Sequence, residues 1–370
     1  MRCLDLFTGI GGMGRLLPFT PVMYCEKNPF CRAVLERRMR DGDIQEAPIH
    51  DDVFTLDPPN HDILIGGFPC QDISKIGVQR GFQGTNSSLY FQILRIVKIK
   101  HPKFIFLENV RNIVTMPNVW KPVLTTLAQE GYDLKWATVG AFHCGMPHKR
   151  LRWFMLATYT GKSTTPTLDR EKMDLFGDVT DGVYHTRTNP KFKEYRRKTF
   201  YVKALPDIPS KGIVTKKTFV RDVWMTPRAF GGARALHNLT KSGMRDLASE
   251  LRFATCTKHR YFDTNLKWVE QLMGLPANWT NPEARVEDFA GFEEAYPRMM
   301  PDKTQKKYRT RWKTLGNMCV SQCAIKAYAF LTDQHSQYEK ATCQQRCQQP
   351  CENTSRDNTH ITTAFRRSVV

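Results

Sequence analysis

Short apolar, β-rich runs alternate with helical stretches over residues 2–160, and this alternation limits the fold more than any other feature of the chain. Strands separated by helices indicate an α/β fold with a doubly wound parallel sheet. The predicted strands are residues 2–7, 21–25, 61–65, 103–107 and 153–157, and the predicted helices are residues 29–38, 89–100 and 122–130. Ligands bind such sheets at the carboxyl ends of the strands, so the loops there are the candidate site.

The chain is strongly basic, with 55 Lys and Arg against 36 Asp and Glu and a net charge of +19. Such a balance favours a polyanionic partner, most often nucleic acid, although ribosome-associated and heparin-binding proteins share it. Residues 185–265 hold 18 Lys and Arg against 6 Asp and Glu, interleaved with Gly, Pro and aromatic residues. This composition predicts a small, loop-rich domain with a face that binds nucleic acid, the alternative being a solvated lysine-rich surface.

The predicted organisation has four parts. Residues 1–160 form the domain with the doubly wound sheet, and residues 161–265 the basic domain. Helical periodicity returns at 268–275, and a glycine-bearing turn leads into a helix within 314–331, so residues 266–332 are expected to return to the first domain. Residues 333–370 are rich in Gln, Thr, Asn and Ser and are expected to be a disordered tail.

Composition excludes collagen-like, wholly disordered, coiled-coil and membrane-spanning proteins. The chain has 41% hydrophobic and 25% charged residues, and it contains no apolar run long enough to span a membrane. Without a secretory signal, most of its 11 cysteines are expected to be reduced thiols in a soluble intracellular protein. Cys343, Cys347 and Cys351 could bind zinc with His335 or His360, but zinc motifs usually have tighter pairs, so no metal site is predicted.

A glycine cluster follows the first predicted strand, where Gly9, Gly11 and Gly14 satisfy G-x-G-x-x-G. Such a turn lets a cofactor approach the backbone at a helix N-terminus. Glu26 ends the second strand, and a carboxylate there can accept hydrogen bonds from ribose hydroxyls. Nicotinamide cofactors and S-adenosylmethionine both contain adenosine, so the pattern alone does not distinguish them.

Four polar side chains at strand ends could carry chemistry. Cys70 follows the third strand and would need a lowered thiol pKa to act as a nucleophile, the alternative being a small core cysteine. Glu108 ends the fourth strand and could be a general acid, or else a surface helix cap. Arg150 and Arg152 are two apart, so on an extended segment they share a face that could hold a carbonyl or phosphate oxygen, or else form a basic surface turn.

Taken together and in order across residues 1–331, these motifs resemble those of the cytosine-C5 DNA methyltransferases. The motifs that carry the resemblance are DLFTGIGG at 5–12, Pro69-Cys70-Gln71, Glu108-Asn109-Val110, HKRLR at 148–152, WVEQLMGLPANW at 268–279, and Leu315-Gly316-Asn317. The chain departs from the family in two places. His148 stands where Gln is usual, and Asp51-Asp52 stands where Gly-Asp is common.

The resemblance implies a Rossmann-like, S-adenosylmethionine-dependent methyltransferase sheet, with residues 161–265 as a smaller target-recognition domain. It implies that the catalytic residues are Cys70, Glu108, Arg150 and Arg152. The residues implied to bind S-adenosylmethionine are Asp5, Phe7, Gly9, Gly11, Gly12, Glu26, Asp52, Pro69, Leu89 and Asn317. The implied reaction methylates C5 of a cytosine flipped out of duplex DNA, through a transient bond between the Cys70 sulfur and C6.

The implied partner is double-stranded DNA, with a cognate restriction endonuclease as a candidate second partner. Because the chain begins at the first strand, we expect a stand-alone modification enzyme of bacterial, phage or viral type, the alternative being a compact eukaryotic member. We expect a monomer that is cytoplasmic in a prokaryote, or nuclear in a eukaryote or a eukaryotic host. The alternatives are a tRNA cytosine methyltransferase, a non-catalytic DNA-binding relative and a nicotinamide oxidoreductase. The long interval between Arg152 and Trp268 favours DNA over tRNA, since the tRNA branch has a short variable region.

Overall fold

The structure is a computed structural model, and it describes residues 1–68, 89–115, 117–144, 146, 148, 150–162, 266–287 and 305–332. Three sets of predictions lie outside those residues. They are the segment with Pro69 and Cys70, the basic domain beyond residue 162, and the tail from residue 333 with its three cysteines. The division of the chain into domains therefore stays a prediction.

The described strands form one seven-stranded sheet in the order β3-β2-β1-β4-β5-β7-β6. The strands are β1 (Arg2–Leu6), β2 (Thr20–Cys25), β3 (Ile49–His50), β4 (Ile63–Gly67), β5 (Phe104–Val110), β6 (Tyr132–Gly140) and β7 (Leu151–Tyr159). Strands β1 to β5 pair in parallel, which confirms the α/β fold and the doubly wound arrangement.

The prediction of a wholly parallel sheet is wrong at one edge. Strand β7 pairs antiparallel with both β5 and β6, so the sheet is mixed. The link between β6 and β7 is too short for a helical crossover, so the chain reverses direction there. Strand β6 was not predicted, because its first half carries the exposed, charged Asp133 and Lys135 and lacks a continuous apolar run.

Six helices of the described residues bear on the sheet and the site. They are α1 (Pro29–Arg40), α2 (Leu89–Lys100), α3 (Pro117–Gln129), α4 (Leu266–Leu272), α5 (Gln305–Asn317) and α6 (Ser321–Leu331). Helix α1 begins where the sequence favours it. The side chain of Asn28 accepts a hydrogen bond from the Phe30 N–H, and Pro29 occupies the first helical position.

The predicted turn and helix within 314–331 need correction. Residues up to Asn317 belong to α5, and the turn lies at 318–320 before α6. Tyr308, Trp312 and Leu315 recur at helical spacing and are buried, so their packing carries the helix through Gly316. The turn therefore follows the Gly-Asn pair rather than containing it.

Both faces of the sheet are covered, and residues from the C-terminal segment belong to one of the two cores. Side chains of α2 and α3 pack on one face. On the other face, α1 and α4 to α6 pack with residues of β1, β4 and β5. The ring of Tyr328 in α6 lies edge-on to Phe19 and Phe106, with ring centroids 5.0 and 5.6 Å away. Among the described helices, none combines the length and the apolar character that crossing a membrane requires.

Candidate active site

The glycine turn after β1 has the backbone conformation that its glycines allow. Gly9 and Gly11 have φ angles of +59° and +84°, in the left-handed region that side chains disfavour. Phe7 has a φ of +56°. Residues other than glycine rarely adopt this strained conformation, and those that do are concentrated at functional sites. The turn thus presents its backbone at the carboxyl end of the central strand β1.

The helix N-terminus expected at this turn is absent, because residues 9–18 form successive turns rather than a regular helix. Two carbonyls there accept hydrogen bonds from the C-terminal segment. Trp279 Nε1 donates to the Ile10 carbonyl at 2.8 Å, and Ser321 Oγ donates to the Gly12 carbonyl at 2.6 Å. The segment after residue 266 therefore holds the glycine turn in its non-helical shape.

Two carboxylates follow the neighbouring strands β2 and β3, and the first of them contacts the glycine turn. Glu26 follows β2 and accepts hydrogen bonds from the backbone N–H groups of Gly9 and Asn28, each at 2.7 Å. Asp52 follows β3, where Phe54 N–H donates to it at 3.1 Å and Lys27 Nζ lies at 3.4 Å. The Phe54 N–H, with help from Lys27, lowers the pKa of Asp52 and keeps it ionised. Both carboxylates retain lone pairs for a ligand.

Asp5 lies inside β1 and is only 3% exposed. Burial raises the pKa of its carboxyl to about 8, so Asp5 holds a proton at neutral pH. A Cβ atom on Gly14 would come within 2.7 Å of Asp5 Oδ2, so any larger residue there would have to displace the Asp5 carboxyl. A cavity of about 200 Å³ adjoins the carboxyl and is also lined by Gly11, Arg15 and Tyr24.

Glu108 lies in the interior of β5, and not at the end of the strand as predicted, because β5 continues through Val110. It pairs with Gly67 on β4 and Phe154 on β7, and it is buried. Arg152 Nε lies 2.9 Å from Glu108 Oε1. Burial raises the pKa of Glu108 against the opposing effect of Arg152 and Arg150. This geometry excludes the surface helix cap and leaves a buried acid beside a cation.

Arg150 takes a different partner from Arg152, although the two are close in sequence. Its guanidinium is buried, and Nη2 donates to the carbonyls of Gly316, at 2.9 Å, and of Met318. Its backbone has a φ of +28°. The surface-turn alternative therefore fails for Arg150. Nearby His148 is fully buried, and burial lowers its pKa to about 3, so its ring is neutral at physiological pH.

The remaining predicted cofactor residues border the same edge of the sheet. Leu89 begins α2 and packs partly buried on the second core, and Asn317 ends α5 and is exposed. Asn109 makes a polar contact nearby, although the sequence predicted no role for this residue. The side chain of Asn109 donates to the Phe68 carbonyl at 2.9 Å, directly before the segment with Cys70. Its only sequence signal was its place in Glu-Asn-Val.

The family of the chain is shown by comparison with known protein families. The model of the family described as C-5 cytosine-specific DNA methylase matches residues 1–299 of the chain. The chain belongs to this family. The resemblance that the motifs carried is thereby confirmed, and the glycine turn, Glu108 and Arg152 all lie within the matched residues of this DNA methylase family member.

Curated relatives are similar to part of the chain. The type II methyltransferase M.NgoBI of Neisseria gonorrhoeae is 36% identical over 165 residues, which cover 42% of this chain and 50% of the relative. The type II methyltransferase M.HhaI of Haemophilus parahaemolyticus is 35% identical over 159 residues, covering 42% of this chain and 48% of the relative. The matched stretch thus spans about half the length of these relatives.

Solved structures support the fold. The Dnmt2 methyltransferase of S. pombe superposes with a TM-score of 0.50 at 18% identity, covering 90% of this chain and 98% of that chain. At this identity the similarity concerns the fold alone, and it agrees with the mixed seven-stranded sheet of this DNA methylase family member.

Proposed function

We propose that the protein transfers a methyl group from S-adenosylmethionine to C5 of cytosine in duplex DNA. Membership of the family supports the reaction, and one structural observation carries it. Glu108 is a buried acid with a raised pKa, two residues before the carboxyl end of β5, and Arg152 lies 2.9 Å from it. Ligands of such sheets bind at the carboxyl ends of the strands. A protonated carboxyl can donate a proton to a ring nitrogen of a base while a neighbouring guanidinium donates hydrogen bonds to a carbonyl oxygen of the same base.

The described residues fit S-adenosylmethionine. The glycine turn lets a ligand approach its backbone, Glu26 can accept from ribose hydroxyls, and Asp52 can accept from the adenine amino group. The bound cofactor would supply a methyl group made electrophilic by a sulfonium. The other residues proposed to line the cofactor site are Asp5, Phe7, Gly11, Gly12, Pro69, Leu89 and Asn317.

The proposed chemistry overcomes the poor nucleophilicity of C5. The Cys70 thiolate adds to C6 while Glu108 donates its proton to N3, so that electron density reaches C5. Arg152 holds O2 as charge develops there. After C5 accepts the methyl group, a base removes the C5 proton, N3 returns its proton to Glu108, and elimination breaks the bond between sulfur and C6.

The proposed DNA contacts come from the basic residues between 185 and 265. Reaching C5 requires extrusion of the cytosine from the duplex, which costs roughly a few kcal/mol. Phosphate contacts from 18 Lys and Arg residues would offset that cost, and the same region would read the sequence in the major groove. Because the relatives are named type II methyltransferases, we also propose a cognate restriction endonuclease as a partner.

The proposed function is tested with S-adenosylmethionine labelled in its methyl group and offered with duplex DNA or tRNA. We expect label in DNA alone, with 5-methylcytosine at defined sites in bisulfite sequencing. The variant E108Q keeps the shape of the side chain but cannot supply the proton, and it should lose most of its turnover. Label in tRNA instead of DNA would overturn the choice of substrate, and undiminished turnover of E108Q would overturn the role of Glu108.

A further inference from the structure

The guanidinium of Arg150 joins two parts of the chain that are far apart in sequence. It is 4% exposed and precedes β7, while its Nη2 donates to carbonyls at the end of α5 and in the turn after it. These carbonyls belong to Gly316 and Met318, on either side of Asn317. Arg150 thus fastens the junction at 316–319, where α5 ends with the predicted cofactor residue Asn317 and the following turn begins.

This contact satisfies groups that would otherwise lack a partner. The last carbonyls of a helix have no intrahelical donor, and they carry the negative end of the helix dipole. A guanidinium offers several donors in a fixed planar arrangement, so one side chain can hold two such carbonyls together. The ammonium of a lysine is a point donor and cannot reproduce that geometry.

The same turn contacts the glycine turn on its other side. A Cβ atom on Gly12 would come within 2.4 Å of the Cys319 carbonyl oxygen, so these two backbones are in close approach. On the sheet side, Arg152 lies two residues after Arg150 and pairs with Glu108. The Glu108–Arg152 pair is therefore linked through the backbone of residues 150–152 and the Arg150 side chain to the junction at 316–319, which lies against Gly12.

We propose that Arg150 is a positioning residue that holds the cofactor side of the site in register with Glu108 and Arg152, and that it does not contact the cytosine. This rests on the proposed function, because the cofactor and the base are those of the methyl transfer. Arg150 contacts the junction at 316–319 directly, whereas Glu108 and Arg152 hold each other within the sheet, so loosening that junction should weaken binding of the cofactor and leave the Glu108–Arg152 pair assembled.

The test compares R150K with R152K, by calorimetric titration with S-adenosylhomocysteine and by steady-state methyl transfer. R150K loses at least one charge-assisted hydrogen bond, so its affinity should fall about 10- to 100-fold and its KM for S-adenosylmethionine should rise similarly, with a smaller loss of kcat. R152K should show the opposite split, with lower kcat and unchanged affinity for S-adenosylhomocysteine. R150Q keeps an amide donor without the charge and should behave like R150K.

A matched control is R311K. Arg311 lies on the same helix α5, where its guanidinium binds Glu270 and Thr280, so this variant loosens the helix without removing the Arg150 contacts to the junction at 316–319. Equal losses of affinity in R311K and R150K would show a merely structural role and overturn the proposal. So would an R150K variant that loses kcat but keeps its affinity. Wild-type protein that binds S-adenosylhomocysteine but methylates nothing would defeat the proposed function alone, and protein that binds none would defeat both.

Discussion

The variant D5N should become more stable than the wild type as the pH rises. Asp5 has a folded-state pKa of about 8 against an ordinary value of 3.8, because it is buried. Between these values the folded state keeps the proton and the unfolded state loses it, so rising pH favours unfolding of the wild type. Each pH unit in that window is worth about 1.4 kcal/mol. The stability is fully present below the unfolded pKa and is lost progressively as the pH rises to about 8.

Asparagine has nearly the same shape and does not titrate, so the difference in the free energy of unfolding between D5N and wild type isolates Asp5. From pH 5 to pH 8 this difference should rise by about 4 kcal/mol in favour of D5N. Urea unfolding at several pH values measures it. Loss of an acceptor at the site adds a constant that does not vary with pH.

The matched control for this prediction is D62N. The backbone N–H of Arg2 and the Lys103 ammonium lower the pKa of Asp62, so both states of that residue are ionised from pH 5 to pH 8. The difference in the free energy of unfolding between D62N and wild type should not change from pH 5 to pH 8. If the D5N difference is equally flat, Asp5 is ionised in the folded protein and the reasoning from burial is refuted.

Two further predictions concern the acid Glu108 and the hydrogen bond from Trp279 to the glycine turn. Methyl transfer should decline as the pH rises through the raised pKa of Glu108. R152Q removes the cation that lowers this pKa, so in single-turnover assays the decline should move to higher pH. A decline at the same pH in R152Q and wild type would contradict the role of Glu108 as the acid. W279F leaves the Ile10 carbonyl without its donor, so the free energy of unfolding should fall by about 2 kcal/mol and S-adenosylhomocysteine should bind more weakly. Urea unfolding and titration calorimetry measure both effects, and unchanged values would show that Trp279 does not hold the turn.

Much of the sheet could be predicted because its strands are buried on both faces and its helices are periodic. The predicted bounds of α2 match the structure, and those of α1 differ by two residues at its end. Strand β6 escaped prediction because its first half is half exposed and carries charges. The end of β5 was set too early, because the polar Glu108 and Asn109 continue a strand that began as an apolar run.

The candidate site was predictable to the extent that it follows strand ends. Glu26 and Glu108 were found in this way, although β5 continues past Glu108, whereas Asp52 was assigned only through the resemblance to the family. Contacts between distant parts of the chain were not predictable. Nothing local in the sequence shows that Trp279 donates to a carbonyl 269 positions away, or that Arg150 holds the end of α5.

The central claim is that Cys70 forms a transient covalent bond with an extruded cytosine. Duplex DNA containing 5-fluorocytosine tests it, because the fluorine at C5 cannot leave as a proton does, and the final elimination is blocked. With S-adenosylmethionine present, the wild type should give a protein–DNA band that survives denaturing electrophoresis, and C70S should give none. A wild type that forms no such band on duplexes containing its methylation site, or a C70S variant that does form one, would contradict the account.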